Sequence, residues 1–328
     1  MEHSTSHSDS DLNTSASKGP FQHLTVFGTG LIGGSFLMAC RSQDDLHIRA
    51  VDPHDETLQY LLKAQAADTV SLTFPQEYAP NHLIVLAAHL DTNLELLKKL
   101  APIVAERDDV LITDIGSCKQ AICQLGDELL PHHFVGGHPL AGKEFSGVKY
   151  ATPLLFAGKP YAICPPEHDP TDLRTAHNVE RLIDFMNTTL QAKAGTMPRQ
   201  QHDKAMAYVS HFPQLYATLL TNLLAQNRPG ELLGFHGAGM DDQLRLAASP
   251  YAMWEHVFEQ NRDNLLDVIR QSKALLNEAE AMLSRSLDKV DGAEHQANDA
   301  MAEWFEQANT IHREFHQFRH NQFPGDFV

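Results

Sequence analysis

The chain has 328 residues, 42% of them hydrophobic, and a formal net charge of -17. That length holds one large domain or two ordinary ones and can bury a sizeable core. The negative balance argues against nucleic acid or an anionic membrane surface as a main partner, because both attract positive fields. Cys40, Cys118, Cys123 and Cys164 show no CxxC spacing and read as reduced thiols. No apolar run is long enough to span a bilayer.

Residues 1–20 are polar and low in complexity, without the apolar core of a secretory signal. They read as a disordered tail, and the cytoplasm as the default location. Strands and helices then alternate. HLTVFG (23–28) is a short apolar run stopped by glycine, and LIGGSFLMACRS (31–42) has helical character. IRAVD (48–52) reads as a strand, ETLQYLLKAQ (56–65) as a helix. HLIVLAA (82–88) is a continuous apolar run suited to a buried parallel strand. TNLELLKKLAPIV (92–104) is helical, DVLITD (109–114) is a fourth strand, and SCKQAICQLGDELL (117–130) is a helix with Ser117 as its N-cap. This alternation implies an α/β fold built on a doubly wound parallel sheet of Rossmann type.

After about residue 190 the strands are expected to stop. Residues 197–227 are mostly helical in pattern. From Tyr251 to Leu287, Trp254, Val257, Phe258, Leu265, Val268, Ile269, Leu276 and Leu283 make one apolar stripe. Met301, Trp304, Phe305, Ala308, Ile311 and Phe315 repeat it. The expected division is a nucleotide-binding domain over 21–192 and an all-helical domain over 193–328. The stripes suit burial against a second subunit, and equally packing within one chain.

Two constellations carry chemistry. FGTGLIGGS sets Gly28, Gly30 and Gly33 in GxGxxG register after a strand and at the start of a helix. Gly28 permits a tight turn, Gly30 lets the backbone approach a pyrophosphate, and Gly33 lets helix and strand pack closely. Leu31 and Ile32 belong to the same turn, and the helix N-terminus favours an anion. Asp52, ending the second strand, can accept hydrogen bonds from a ribose hydroxyl. The residues after it, Pro53 to Thr57, include no Arg or Lys, which favours NAD over NADP. The plainer readings are a glycine-rich turn without a ligand and a turn aspartate before proline. No metal is expected.

The second constellation lies at the reacting end. Ser117 follows the fourth strand, where ligands sit in doubly wound sheets. FVGGHPLAGKEFSG (134–147) has the pattern of neither a core strand nor an amphipathic helix. His138 is read there as following another strand end, its flanking glycines admitting substrate and cofactor. The chain has 20 histidines, and most belong on the surface.

These motifs, in order GTGLIGGS, TDIGSCK, GGHPLAGKEFSG, HDKAMAYVSHFP (202–213) and LRLAASPYAMW (244–254), resemble the prephenate and arogenate dehydrogenases of tyrosine biosynthesis. The resemblance spans roughly residues 23–285. It implies a Rossmann domain joined to a helical domain that forms a homodimer, and oxidation of a ring carbinol as the ring carboxylate leaves as carbon dioxide. It makes His138 the group that takes up the hydroxyl proton, and Ser117 the serine that hydrogen-bonds it beside the nicotinamide. It makes Arg245 the anchor of a substrate carboxylate, Glu144 an acidic residue at the pocket mouth, and His211 a pocket wall. His202 lies in the same helical segment, as a site residue or as helix packing. One departure is Gln214, where the family often has histidine; this leaves open prephenate or arogenate. Two other readings stand beside it. A 3-hydroxyacid-type dehydrogenase would need a catalytic lysine, for which Lys204 is the only apparent candidate. A non-catalytic NAD-binding sensor would leave Ser117, His138 and Arg245 without a role.

Overall fold

Alternation of side chains along the strands builds two cores at once. In the strand His82–Leu86 all five residues are buried. Leu83 and Val85 feed one apolar layer, Ile84 and Leu86 the other. A strand covered on both faces needs no polar side, which is why it reads as a continuous apolar run. The computed structural model describes residues 19–143, 145–167, 172–226, 230, 236–287 and 293–322. The tail lies outside them apart from Gly19 and Pro20.

The order is β1 (His23–Phe27), α1 (Leu31–Cys40), β2 (His47–Val51), α2 (Asp55–Lys63), β3 (Thr69–Ser71), β4 (His82–Leu86), α3 (Leu90–Val104), β5 (Val110–Asp114), α4 (Gln120–Leu129) and β6 (Phe134–Pro139). Then follow β7 (Pro160–Cys164), α5 (Leu173–Thr188) and β8 (Lys193–Thr196). The sheet has eight strands in the order β3-β2-β1-β4-β5-β6-β7-β8. All pairs are parallel except β6 with β7. One core holds Phe36, Leu58, Leu61 and Phe185 of α1, α2 and α5; the other holds Leu97, Leu100 and Ile122 of α3 and α4. Helices therefore cover both faces, as a doubly wound sheet requires.

Three expectations are corrected. The strands do not stop near residue 190: β8, KAGT, pairs with β7. It is a short edge strand with little apolar content, so no periodicity announces it. Second, the FVGGHP stretch is a core strand, buried along its whole length. Its glycine pair is steric: a Cβ on Gly136 would stand 2.4 Å from Cys123 Sγ, and one on Gly137 2.6 Å from the Asp114 carbonyl oxygen. Close approach to β5 and α4 removes the side chains by which a strand is recognised. Third, Ser117 does not cap α4, which begins at Gln120. The capping acceptor is Asp203, whose Oδ1 and Oδ2 accept from the Lys119 and Gln120 backbone N–H groups at 2.8 and 2.9 Å.

Helices alone follow β8 among the described residues: α6 (Arg199–Met206), α7 (Phe212–Gln226), α8 (Ala238–Ala247), α9 (Tyr251–Gln260), α10 (Arg262–Leu287) and α11 (Ala293–Gln322). A π turn, Ala207–His211, joins α6 to α7. In an uninterrupted α-helix, positions nine apart point about 180° from each other. One residue absorbed by the π turn reduces that offset to about 80°, which brings His211 round toward the side of His202. No described helix is long and apolar enough to cross a membrane.

Candidate active site

A cavity of about 1280 Å³ lies between the strand ends and the helical part. Gly28, Gly30, Leu31, Ile32, Gly33, Asp52, Ser117, His138, His211, Gln214 and Arg245 all line it. One volume thus joins residues chosen from motifs scattered along the chain. Glu144 lies outside the described residues.

At the glycine end, backbone geometry explains each glycine differently. Gly28 has φ +82°, and a Cβ there would meet Ala88 N at 2.6 Å. On Gly33 a Cβ would stand 2.0 Å from the Gly28 carbonyl oxygen. At Gly30 it would meet nothing within 4 Å. Protein packing demands the first two glycines and leaves free space at the third, at the N-terminus of α1. That cradle fits a pyrophosphate. Asp52 Oδ2 accepts from Thr29 N and Oγ1 at 2.8 and 3.1 Å, and Oδ1 from His54 N at 3.0 Å, with His54 Nδ1 at 2.9 Å. Burial alone would raise the Asp52 pKa; the hydrogen bonds from Thr29 and His54 outweigh it and hold the group below the ordinary carboxylate value.

At the other end, His138 sits near the end of β6, 9% exposed. Its Nδ1 is 2.9 Å from His202 Nε2, so the hydrogen bond the structure gives it is to His202 and not to Ser117. Ser117 is exposed and lines the same cavity. Burial, with His202, Lys119 and His211 adding to it, holds the His138 pKa well below the usual histidine value. The ring is therefore neutral at neutral pH, with Nε2 as its remaining nitrogen. Lys119 is itself buried and paired with Asp114, whose other oxygen accepts from Gly137 N at 3.2 Å.

His211 is engaged at Nδ1 by Asn261 Nδ2, 3.0 Å away. An amide N–H donates there, so Nδ1 is the acceptor and the proton of the neutral ring lies on Nε2. Burial lowers the His211 pKa to about 4. Its Nε2 and the Nε1 of Trp254, both on cavity-lining residues, are buried without a protein partner among the described residues. Two donors on residues that line the same cavity as Arg245 suit an anionic ligand. Gln214 donates through Nε2 to the Leu246 carbonyl oxygen at 2.9 Å, leaving Oε1 as its side-chain acceptor. Lys204 is exposed on α6, outside the cavity lining, which removes the lysine that a 3-hydroxyacid-type site requires. Asp203 and Asn261 were not singled out from sequence. The adjacent His-Asp pair in HDK was the available signal, but its meaning depends on partners 64 and 84 residues away.

A glycine turn, an acidic residue just after β2 and a neutral histidine near the end of β6, faced by helices, define a Rossmann-type nucleotide-binding protein with an all-helical second domain. The chain belongs to the prephenate dehydrogenase family: residues 39–189 match the model of its nucleotide-binding domain and residues 198–310 that of its dimerization domain. It is 31% identical to the prephenate dehydrogenase of Bacillus subtilis (strain 168) over 249 residues, 74% of this chain and 65% of that one. It is 25% identical to the cyclohexadienyl dehydrogenase of Zymomonas mobilis over 254 residues, 76% of this chain and 84% of that one. Among solved structures, prephenate dehydrogenase from A. aeolicus in complex with hydroxyphenyl propionate and NAD+ matches with a TM-score of 0.77 at 26% identity, covering 90% of this chain and 98% of that one.

Proposed function

We propose that the chain catalyses the NAD-dependent oxidative decarboxylation of prephenate to 4-hydroxyphenylpyruvate, as a cytoplasmic homodimer. The observation that carries this reading is the single cavity, with a pyrophosphate cradle and Asp52 at one end, neutral His138 between, and Arg245, His211 and Gln214 at the other. NAD, when bound, supplies the acceptor for the hydride that leaves the ring carbinol. The glycine turn with Leu31 and Ile32 would hold the pyrophosphate, and Asp52 the ribose. A 2′-phosphate there would meet a carboxylate.

His138 Nε2 accepts the ring hydroxyl proton as the hydride departs. Loss of the ring carboxylate as carbon dioxide leaves its electron pair in the ring, which becomes aromatic. The phenolate oxygen so formed takes the proton back. Aromatisation drives the reaction, so the protein chiefly orients the reactants. Ser117 supports the hydroxyl and nicotinamide end, Arg245 pairs with a substrate carboxylate, and the His211 and Trp254 N–H groups add donors for it. Cytoplasmic residence is supported by four buried, unpaired cysteines.

Gln214 favours a second reading, in which arogenate is also a substrate. With Nε2 held by Leu246, Oε1 can accept from the ammonium of arogenate, whereas the keto group of prephenate offers it no donor. Prephenate remains the proposed preferred substrate because Arg245, His211 and Trp254 all suit the more anionic molecule. NADH formation measured with each substrate tests both readings. Faster turnover of arogenate would reverse the order, and no NADH from either would end the proposal. Gln214→His should shift the ratio of catalytic efficiencies toward prephenate; an unmoved ratio would show that another contact discriminates.

A further inference from the structure

Behind His138 lies a chain of buried groups that the proposed reaction has not used. His138 Nδ1 is 2.9 Å from His202 Nε2, and His202 Nδ1 is 2.8 Å from Asp203 Oδ1. His202 is 0% and Asp203 2% exposed. Asp203 also accepts the Lys119 and Gln120 backbone N–H groups at the start of α4. Those donors demand an acceptor, so Asp203 is a carboxylate; the same hydrogen bonds, with His202, outweigh burial and keep its pKa below the ordinary value.

The direction of each hydrogen bond follows. A carboxylate only accepts, so His202 carries its proton on Nδ1. Neutral His202 then presents a lone pair at Nε2, and His138 must donate to it from Nδ1. That leaves the His138 Nε2 lone pair for the cavity. We infer that His202 and Asp203 are positioning residues that set the base tautomer of His138 and share the proton it takes up. This rests on the reading of His138 as the base.

The proton balance closes within the site. The hydroxyl proton moves to His138 Nε2 as the His138 Nδ1 proton moves to His202 Nε2. His202 is then an imidazolium whose Nδ1–H faces the Asp203 carboxylate, so the positive charge rests beside a negative one. Both transfers reverse when the phenolate forms, with no net proton gained or lost. The other titratable groups facing this chain are Lys119, paired with Asp114; His211, engaged by Asn261; and the Cys118 and Cys164 thiols, each pushed up to about 12 by burial. None of them is in place to hold Nδ1 of His202.

The test uses the full chain, with Asp203→Asn, His202→Gln and His138→Asn compared with wild type. Asparagine can offer an N–H to His202 Nδ1. That reverses the tautomer of His202 and puts the proton of His138 on Nε2, where the base is needed. Asp203→Asn should lower kcat on the order of 10²–10⁴-fold, as a comparable carboxylate-to-amide change does in a Ser-His-Asp triad. Substrate KM and NAD affinity should stay close to wild type, Tm should fall only by the loss of the Lys119 N–H acceptor at the start of α4, and the kcat–pH profile should shift. His202→Gln can still accept from His138 Nδ1 but takes no proton. It should lose less kcat, and kcat in mixtures of light and heavy water should change from a bowed to a linear dependence. A wild-type kcat and pH profile in Asp203→Asn would overturn the inference. So would losses of kcat matched by equal losses of NAD affinity and Tm in both variants, which is the behaviour of packing alone. Normal turnover in His138→Asn would instead remove the base assignment beneath it.

Discussion

His138 combines two features that rarely meet in one histidine: a place in a core strand and an open cavity before it. Burial keeps it neutral, and the strand keeps it still. His138→Asn should lower kcat by roughly 10²–10⁴-fold, the usual contribution of an acid–base group, with NAD affinity unchanged. Fluorescence titration with NAD beside steady-state kinetics checks both parts. Near-normal turnover would remove His138 from the chemistry. Its motif setting was legible in the sequence, whereas its partner was not: the resemblance pointed to Ser117, and the structure pairs it with His202.

Among elements, the turn from β1 to α1 makes a sharp distinction between glycines that shape the protein and one that faces the open cavity. Gly33→Ala sets a methyl against the Gly28 carbonyl and should lower Tm together with NAD affinity. Gly30→Ala meets no protein atom within 4 Å, so its Tm should match wild type while its NAD dissociation constant rises. Thermal melting with NAD titration separates the two. Equal NAD affinity in Gly30→Ala and wild type would mean that the free space there is not the pyrophosphate cradle. The start of α4 is a second instructive element, because its capping carboxylate comes from α6 and ties the sheet to the helical domain. Helix periodicity located α4 well, but a cap borrowed across the fold leaves no local mark.

For the whole molecule, two properties follow from what is buried and what is not. His82, buried on β4 with Nε2 at 2.9 Å from Thr25 Oγ1, has its pKa lowered to about 3 by burial, and His211 to about 4. Unfolded histidines protonate near 6.5, so between about pH 6.5 and 4 the unfolded chain binds protons that the native one does not. Stability is full above that window and falls with pH through it, by about 1.4 kcal/mol per pH unit for each histidine. His82→Gln should flatten the fall of Tm over this range; an unchanged slope would show that His82 does not govern it. The lowered carboxylates Asp52 and Asp203 act in the same sense, their contribution being lost only as pH falls below the ordinary aspartate value. At the far end of the chain, Leu265 and Val268 of α10 are buried within the subunit, but Leu276 is 62%, Phe305 60% and Phe315 66% exposed. The part of each stripe left exposed suits a second copy of the dimerization domain. Sedimentation at micromolar concentration should give a dimer, and Leu276→Glu with Phe315→Glu should shift it toward monomer. A fully active wild-type monomer would defeat this.

What the sequence by itself determined is whatever a few neighbouring residues decide. Apolar runs such as HLIVL make buried strands, 3.6-residue stripes make helices, and GxGxxG after a strand makes the cradle, because each depends on contacts within one element. It also singled out motifs whose described residues line one cavity. Only the tertiary structure decided that FVGGHP is a strand, since its glycines answer to Cys123 and Asp114 rather than to their neighbours. Only it placed His211 beside the cavity, through a π turn, and joined His138 to His202 and Asp203. The hydrogen bonds that tie this chain across the fold, His138 to His202 and Asp203 to the start of α4, span tens of residues. Their geometry exists only once two domains have packed and water has been excluded, so no local propensity encodes them.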